Sequence, residues 1–345
     1  MPVSVDEQRQ TIRELRPPKR SRPLVAILAD NRGSETTDLM VPYAVLSRAG
    51  IADVIVVAPD RSPIIMMPAL SIEPQATLDA FDQAHPGGAD YVVVPAFHHD
   101  ERDGPILKWL QRQAASHATI VGICEGARVL GRAGLLDGRH ATTHWYAIRS
   151  LQREHPSMQW VRDRRYVVDR GVVTTTGVTA SIPLSLALVE AIAGPKAASA
   201  LGDQLGVTSY DVSHQSERFS LNSHLLFRLA ANGAAIWNHE TVGIPVADGV
   251  DDIALSLTAD AWSRTYRSQA ITIGDRSTIT TRSGLTMLVD RQPDSPAPDL
   301  SIAYDEQTPP AQSLHRALSE IASRYGERTA ALVALQLEFA WSNGI

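Results

Sequence analysis

The stretch "TIVGICEGARVL", residues 119 to 130, turns a corner. Its first half is an apolar run rich in Ile and Val, the composition of a strand covered on both faces. A Glu-Gly-Ala stretch with helical spacing follows at once. At the corner stands Cys124, the single cysteine in 345 residues. A strand that ends on a nucleophile and enters a helix is an elbow, and Gly126 gives the tight turn room. In a parallel α/β sheet such a corner lies at the carboxyl edge, where ligands bind. The helix terminus favours a thiolate, and nearby backbone N–H groups suit a developing oxyanion. Cys124 is therefore expected partly exposed at the mouth of a pocket, titrating below an ordinary thiol. The bland alternative is a buried structural cysteine.

Working outward, the same alternation recurs. "LVAILAD" (24–30), "ADVIVVAP" (52–59) and "YVVVPA" (91–96) read as further central strands. "DLMVPYAVLSRAG" (38–50) has helical spacing, with Gly50 as its stop and Pro42 requiring a start just after Asp38 or a bend. "GPILKWLQRQAAS" (104–116) and "ASIPLSLALVEAIAG" (180–194) read as helices. "RHATTHW" (139–145) reads as a strand, and "RRYVVD" with "GVVTTTG" as a hairpin through Asp-Arg-Gly. This is a doubly wound, mostly parallel α/β domain over residues 23–205.

Composition narrows the function classes. The chain is 44% hydrophobic and 20% charged, ordinary globular values with enough apolar mass for a core. A net charge of −6 argues against a general affinity for nucleic acid or anionic membrane. One cysteine excludes an internal disulfide and fits a reducing compartment, so a cytoplasmic protein is expected. No apolar run reaches the ~18 residues of a membrane span. Residues 1–22 read as a mobile polar leader, with a KRSR cluster.

Residues 242–290 echo the start of the first domain. "VGIPVAD" echoes "VAILAD", "SQAITIGD" echoes "ADVIVVAPD", and Ser263-Arg264 echoes Ser47-Arg48. In that register Asp38 falls on Ala254 and Pro42 on Thr258, and no second elbow follows. Such self-similarity points to duplication. Residues 241–345 are thus expected to be a degenerate half-domain with a helical tail. Residues 206–240 are a connector with a helix in "NSHLLFRLAANGAAIWN", and "DRQPDSPAPDLS" (290–301) is a Pro-rich loop.

Several residues converge on the elbow in this reading. Asp38 follows the first strand and opens the first helix, with Glu35 as a competitor three residues earlier; either could be there only for the helix dipole. His144, at the far end of the returning strand, would come near the elbow if that strand runs parallel and could then take the thiol proton; the alternative is a plain strand-end polar residue. His98, His99 and Asp100 line the same rim, but adjacent histidines in a strand point oppositely, so no metal site is read there.

These residues carry a resemblance. "VGICEGARVLGRAGLLDGRHATTHW", "TTDLMVPYAVLSRAG" and "YVVDRGVVTTTGVTASIPLSLALVE" resemble the ThiJ/PfpI superfamily, in its isonitrile-hydratase-like and AraC-regulator sensor branch. The resemblance covers about residues 24 to 200 and implies a flavodoxin-like fold of the class I glutamine amidotransferase-like type. It implies a cysteine nucleophile at Cys124, an acidic partner at Asp38 and a strand-end histidine at His144. It also places the elbow glycine at Gly126 and oxyanion amides at Ala96 and Phe97. His98 and Glu125 would border the binding site.

Three features depart from the pattern. Glu125 stands where a small or hydroxyl residue is usual, and would raise the thiol pKa unless Arg128 neutralises it. "PAF" (95–97) replaces the usual "PGG". No basic recognition helix follows, so DNA binding is not implied. The resemblance calls for no cofactor and no metal, takes a small molecule as partner and leaves a homodimer open. Two functions follow from it: a cysteine-dependent hydratase or hydrolase, or a non-catalytic ligand or redox sensor.

Overall fold

The computed structural model describes residues 3–99, 104–219, 239–303 and 307–341. The expected connector helix at 222–238 lies outside the described residues.

The polar leader is docked rather than loose. Helix α1 (Val5–Glu14) is capped by the Ser4 hydroxyl, which accepts from the Glu7 amide. Leu15 behind it is fully buried, and its carbonyl accepts from the Tyr91 hydroxyl at 2.6 Å. Arg164 donates to Glu7 at 3.0 Å. The polar composition concealed an amphipathic segment whose few apolar side chains suffice to seat it.

After α1, β1 (Leu24–Leu28) leads through β2 (Ser34–Glu35) into α2 (Thr36–Ala49). Then come β3 (Asp53–Ala58), the hairpin β4 (Ile64–Met67) and β5 (Ser71–Ile72), β6 (Ala76–Thr77), α3 (Leu78–Ala84) and β7 (Tyr91–Val94). Helix α4 (Pro105–Ala115), β8 (Thr119–Gly122) and α5 (Gly126–Arg132) carry the chain through the elbow. Next are β9 (His140–Ala141), α6 (Ile148–Glu154), β10 (Gln159–Trp160), β11 (Tyr166–Asp169) and β12 (Val172–Thr175). Helices α7 (Ser181–Ala193) and α8 (Pro195–Leu205) follow.

Seven of these strands form one sheet in the order β11-β12-β8-β7-β1-β3-β6. Every pair is parallel except β11 with β12. The chain runs outward from β1 to β3 and β6, then returns on the other side to β7 and β8. The order therefore reverses beside β1, and the carboxyl ends of β1, β7 and β8 border the crevice this creates. The pleat sends Val25, Ile27, Tyr91, Val93 and Val121 to one core, with α2 and α7. It sends Ala26, Leu28, Val92, Val94 and Ile120 to the other, with Phe81, Trp109 and Leu130.

Two local expectations change. Helix α2 starts at Thr36, with Glu35 as its cap, so Pro42 sits inside it. Lacking an N–H, Pro42 leaves the Asp38 carbonyl without its helical partner. The expected strand 139–145 is only His140–Ala141, paired with β10 in a separate two-stranded sheet. Its continuation is drawn out of a ladder by threonine hydroxyls. The Thr142 amide donates to Thr174 Oγ1 at 2.8 Å, and Thr143 Oγ1 donates to the Cys124 carbonyl at 3.0 Å.

From residue 240 the order is β13 (Glu240–Pro245), α9 (Asp252–Ser263), β14 (Ser268–Ile273), β15 (Thr278–Thr280), β16 (Thr286–Leu288) and β17 (Leu300–Ser301). Helices α10 (Ser313–Tyr325) and α11 (Glu327–Gln336) complete it. Strands β14, β13 and β17 form a parallel sheet, while β15 and β16 extend the β4–β5 hairpin into the order β15-β16-β5-β4-β2. Val242, Ile253, Leu255, Trp262 and Leu318 belong to the same core as α2 and α7. This region packs on the α2 and α7 face of its own chain.

Candidate functional site at the Cys124 elbow

Cys124 itself takes the unusual backbone conformation, with φ at 55°. A non-glycine residue there costs about 1–2 kcal/mol, offset by what holds the turn. The Cys124 amide donates to Thr175 Oγ1 at 3.0 Å, and its carbonyl accepts from Thr143. Gly126 serves close approach: a Cβ there would lie 2.1 Å from the Val94 carbonyl oxygen. The elbow is pressed against the end of β7, and only hydrogen fits between them.

The thiol is buried, with 6% of Cys124 exposed. Its pKa is raised well above the ordinary value, first by burial, then by the charges of Asp38, Glu125, Glu35 and Glu338. This reverses the expected low-pKa, half-exposed cysteine. The physical reason is magnitude: a helix end contributes about 0.3–1 kcal/mol, up to ~2 when partly buried, and α5 is only 7 residues long. Full desolvation moves a group by up to 3–5 pKa units.

Asp38 is fully buried. Its Oδ2 accepts from the Ala96 amide at 3.1 Å, while Oδ1 has no hydrogen-bond partner. Burial raises its pKa to about 7, against the lowering effects of the Ala96 amide and Arg264. The Ala96 amide, expected to hold an oxyanion, is thus engaged by Asp38. Glu35 has a different role: it caps α2, accepting from the Asp38 amide at 2.6 Å.

Beneath these carboxyls lies a charge network. Arg264 donates to Glu35 Oε1 at 2.6 Å and to Asp260 Oδ1 at 2.6 Å, and the Thr37 hydroxyl bridges Glu35 and Asp260. Burial raises both Glu35 and Asp260. Glu35 and Asp260 share one guanidinium with Asp38 in its field, and burial pushes all three carboxyls toward the protonated form.

His144 is buried beside the elbow, one residue after Thr143. Its Nε2 meets the Gln336 carbonyl at 3.0 Å, and Nδ1 has no hydrogen-bond partner. Burial lowers its pKa, so the ring is neutral, with Nε2 donating and Nδ1 left as an acceptor. The chain after α11 closes over this side. Trp145 Nε1 donates to the Leu335 carbonyl at 2.9 Å, and the Gly177 amide donates to the Glu338 carboxylate.

Glu125 pairs with Arg128 at 3.1 Å, as its spacing suggested. Phe97 bridges to Ser34 and is half-buried. His98 is exposed, packed over Gly33 and edge-on to His99, outside the buried cluster. Sequence reasoning missed Arg264, Asp260 and Glu338 as site residues. The available signal was the repeated Ser-Arg pair, which had served only to align the two halves.

Comparison with known proteins gives the family. Residues 24–191 match the DJ-1/PfpI family. The chain is 33% identical over 172 residues to an isonitrile hydratase of Pseudomonas putida, covering 49% of this chain and 72% of that protein. It is also 33% identical over 150 residues to the HTH-type transcriptional regulator CdhR of Pseudomonas aeruginosa, covering 43% of each. The match thus spans less than half of that regulator's length. A solved ThiJ/PfpI family protein from Pseudomonas syringae aligns with 54% of this chain and 76% of its own, at 25% identity and a TM-score of 0.48. The chain belongs to the DJ-1/PfpI family.

Proposed function

We propose that Cys124 is the reacting thiol of a hydratase- or hydrolase-type site for a small electrophilic molecule. The observation that carries this reading is Asp38. A buried carboxyl raised to about 7, with one oxygen unpartnered and its charge bearing on the thiol, is suited to exchange protons near neutrality. As Sγ forms its bond to the electrophilic carbon, the thiol proton passes to Asp38. Asp38 returns it to the atom that gains the electron pair: the carbon itself in an isonitrile, or the nitrogen of an amide, which then leaves as the amine. Water then adds to the thioester-like carbon and releases the thiol. A thiol this strongly raised ionises only in concert with that transfer, so the proton acceptor is essential.

A second reading, ligand or redox sensing without turnover, is supported by the burial of Cys124 and by the regulators among the relatives. The single cysteine suits a reducing compartment, and we place the protein in the cytoplasm on that ground. Among the described residues no helix is long and apolar enough to cross a membrane.

The test is incubation of the protein with small isonitriles, aldehydes, dicarbonyls and amides, with products followed by NMR. Turnover lost in Cys124→Ala and Asp38→Asn supports the first reading. Turnover that survives Cys124→Ala, or saturable binding with no product, overturns it; the latter favours the sensor.

A further inference from the structure

We infer that residues 240–341 act as a built-in partner subunit for residues 24–205, and that Arg264 is a positioning residue for the Cys124 site. This rests on the reading of Cys124 as the reacting group and extends it to the region that has no cysteine.

The contacts are reciprocal. Arg48, in the last turn of α2, donates to Asp251 Oδ2 at 2.7 Å and Asp252 Oδ2 at 3.0 Å, at the start of α9. Arg264, just past α9, donates to Glu35 at 2.6 Å, at the start of α2. Glu35 caps α2 and Asp251 caps α9, and each arginine stands equally far along the chain from its own helix's cap. A contact from i to j matched by one from j′ to i′ is the signature of an isologous two-fold interface.

The rest of the fold obeys the same relation. Hairpins β4–β5 and β15–β16 meet through their second strands, Ile72 opposite Met287 and Ser71 opposite Leu288. Helices α7 and α10 are both 13 residues long. Each ends on a glycine, Gly194 with φ at 89° and Gly326 with φ at 90°, that opens the next helix. Among the described residues, β6 with α3 and the stretch from the end of β7 to α7 have no counterpart, and the second of these contains the elbow.

The two poles of this interface therefore differ. Arg48 meets aspartates with no cysteine nearby. Arg264 lies in the field of Cys124 and lowers Asp38. The groups facing the thiol are otherwise acidic: Asp38 and Glu35 from α2, Glu125 from the elbow and Glu338 from beyond α11, with neutral His144 beside them. Asp260 shares Arg264 with Glu35. The chain just past α9 thus brings a cation into this acidic cluster from the region that has no cysteine. The same packing occupies the α2 face, so a homodimer through that face is not available.

The experiment reads the alkylation rate of Cys124 by iodoacetamide against pH in the full chain, alongside urea denaturation. We compare wild type with Arg264→Gln and Arg48→Gln. Arg264→Gln should raise the apparent thiol pKa by about one unit and slow labelling about tenfold at fixed pH, the size expected for losing a nearby opposite charge. Arg48→Gln should cost comparable stability and leave the profile unmoved. Equal shifts in both, or a shift in neither, would overturn the inference while leaving the Cys124 chemistry intact. If Arg264→Gln does not fold, Arg264→Lys against Arg48→Lys decides it. There the loss of the forked contact should move the thiol profile only at position 264, and equal behaviour would refute the role.

Discussion

Replacing Asp38 by Asn isolates one proton. In the folded protein Asp38 titrates at about 7, raised from 3.8 by burial. Between these values the native state holds a proton that the unfolded chain has lost, so stability falls as pH rises. The contribution is complete below the unfolded value and gone above the folded one. At 1.36 kcal/mol per unit, the span is worth about 4 kcal/mol. Asn is neutral throughout and keeps an oxygen for the Ala96 amide. Its N–H₂ group then occupies the place of the unpartnered Oδ1, at a cost of about 1–3 kcal/mol. Asp38→Asn should therefore be less stable than wild type near pH 4 and more stable by about 1–3 kcal/mol near pH 8. Urea unfolding at half-unit steps from pH 4 to 8.5 measures the difference. Glu35 and Asp260 add slope of the same sign to both proteins, so the difference curve is the quantity to read. A difference that stays flat across this range would refute the assignment of a raised pKa to Asp38.

Native Cys124 should label slowly at pH 7 and much faster once the chain is unfolded in urea; equal rates by mass spectrometry would show an open, ordinary thiol. Gly126→Ala, whose Cβ must displace the Val94 carbonyl, should cost about 1–3 kcal/mol or more in chemical denaturation, and a loss below ~0.5 would mean the elbow stands off from β7. Truncation after Leu205 should bare the α2 and α7 face and cause self-association. A well-behaved monomer in sedimentation would show that the face needs no cover.

The central sheet was legible because buried parallel strands are written as continuous Val and Ile runs, and the elbow because it joins such a run to a helix. His144 shows where local pattern misleads. Its Thr-Thr-His sequence has strand composition, but the Thr142 amide donates to the Thr174 hydroxyl and the Thr143 hydroxyl to the Cys124 carbonyl, outside any ladder. Cys124 shows a second limit. Its place at a helix start is local and readable, whereas its burial is contributed by residues from across the chain. Arg264 shows a third: its partner Glu35 lies 229 positions away, and only the fold brings them together.

The single core that joins α2, α7, Trp262 and Leu318 also has a consequence for synthesis. Residues 24–205 emerge before anything that covers their α2 face has been made. At translation rates of 5–20 residues per second, that face waits on the order of ten seconds for the segment ending at α11. For that interval the nascent chain displays the apolar surface of an unmated subunit. Its own ribosome-bound neighbours on the same message display it too, so premature pairing between chains competes with closure within one. Chaperone occupancy of nascent chains should accordingly peak before residue 240 emerges and fall once α9 has docked.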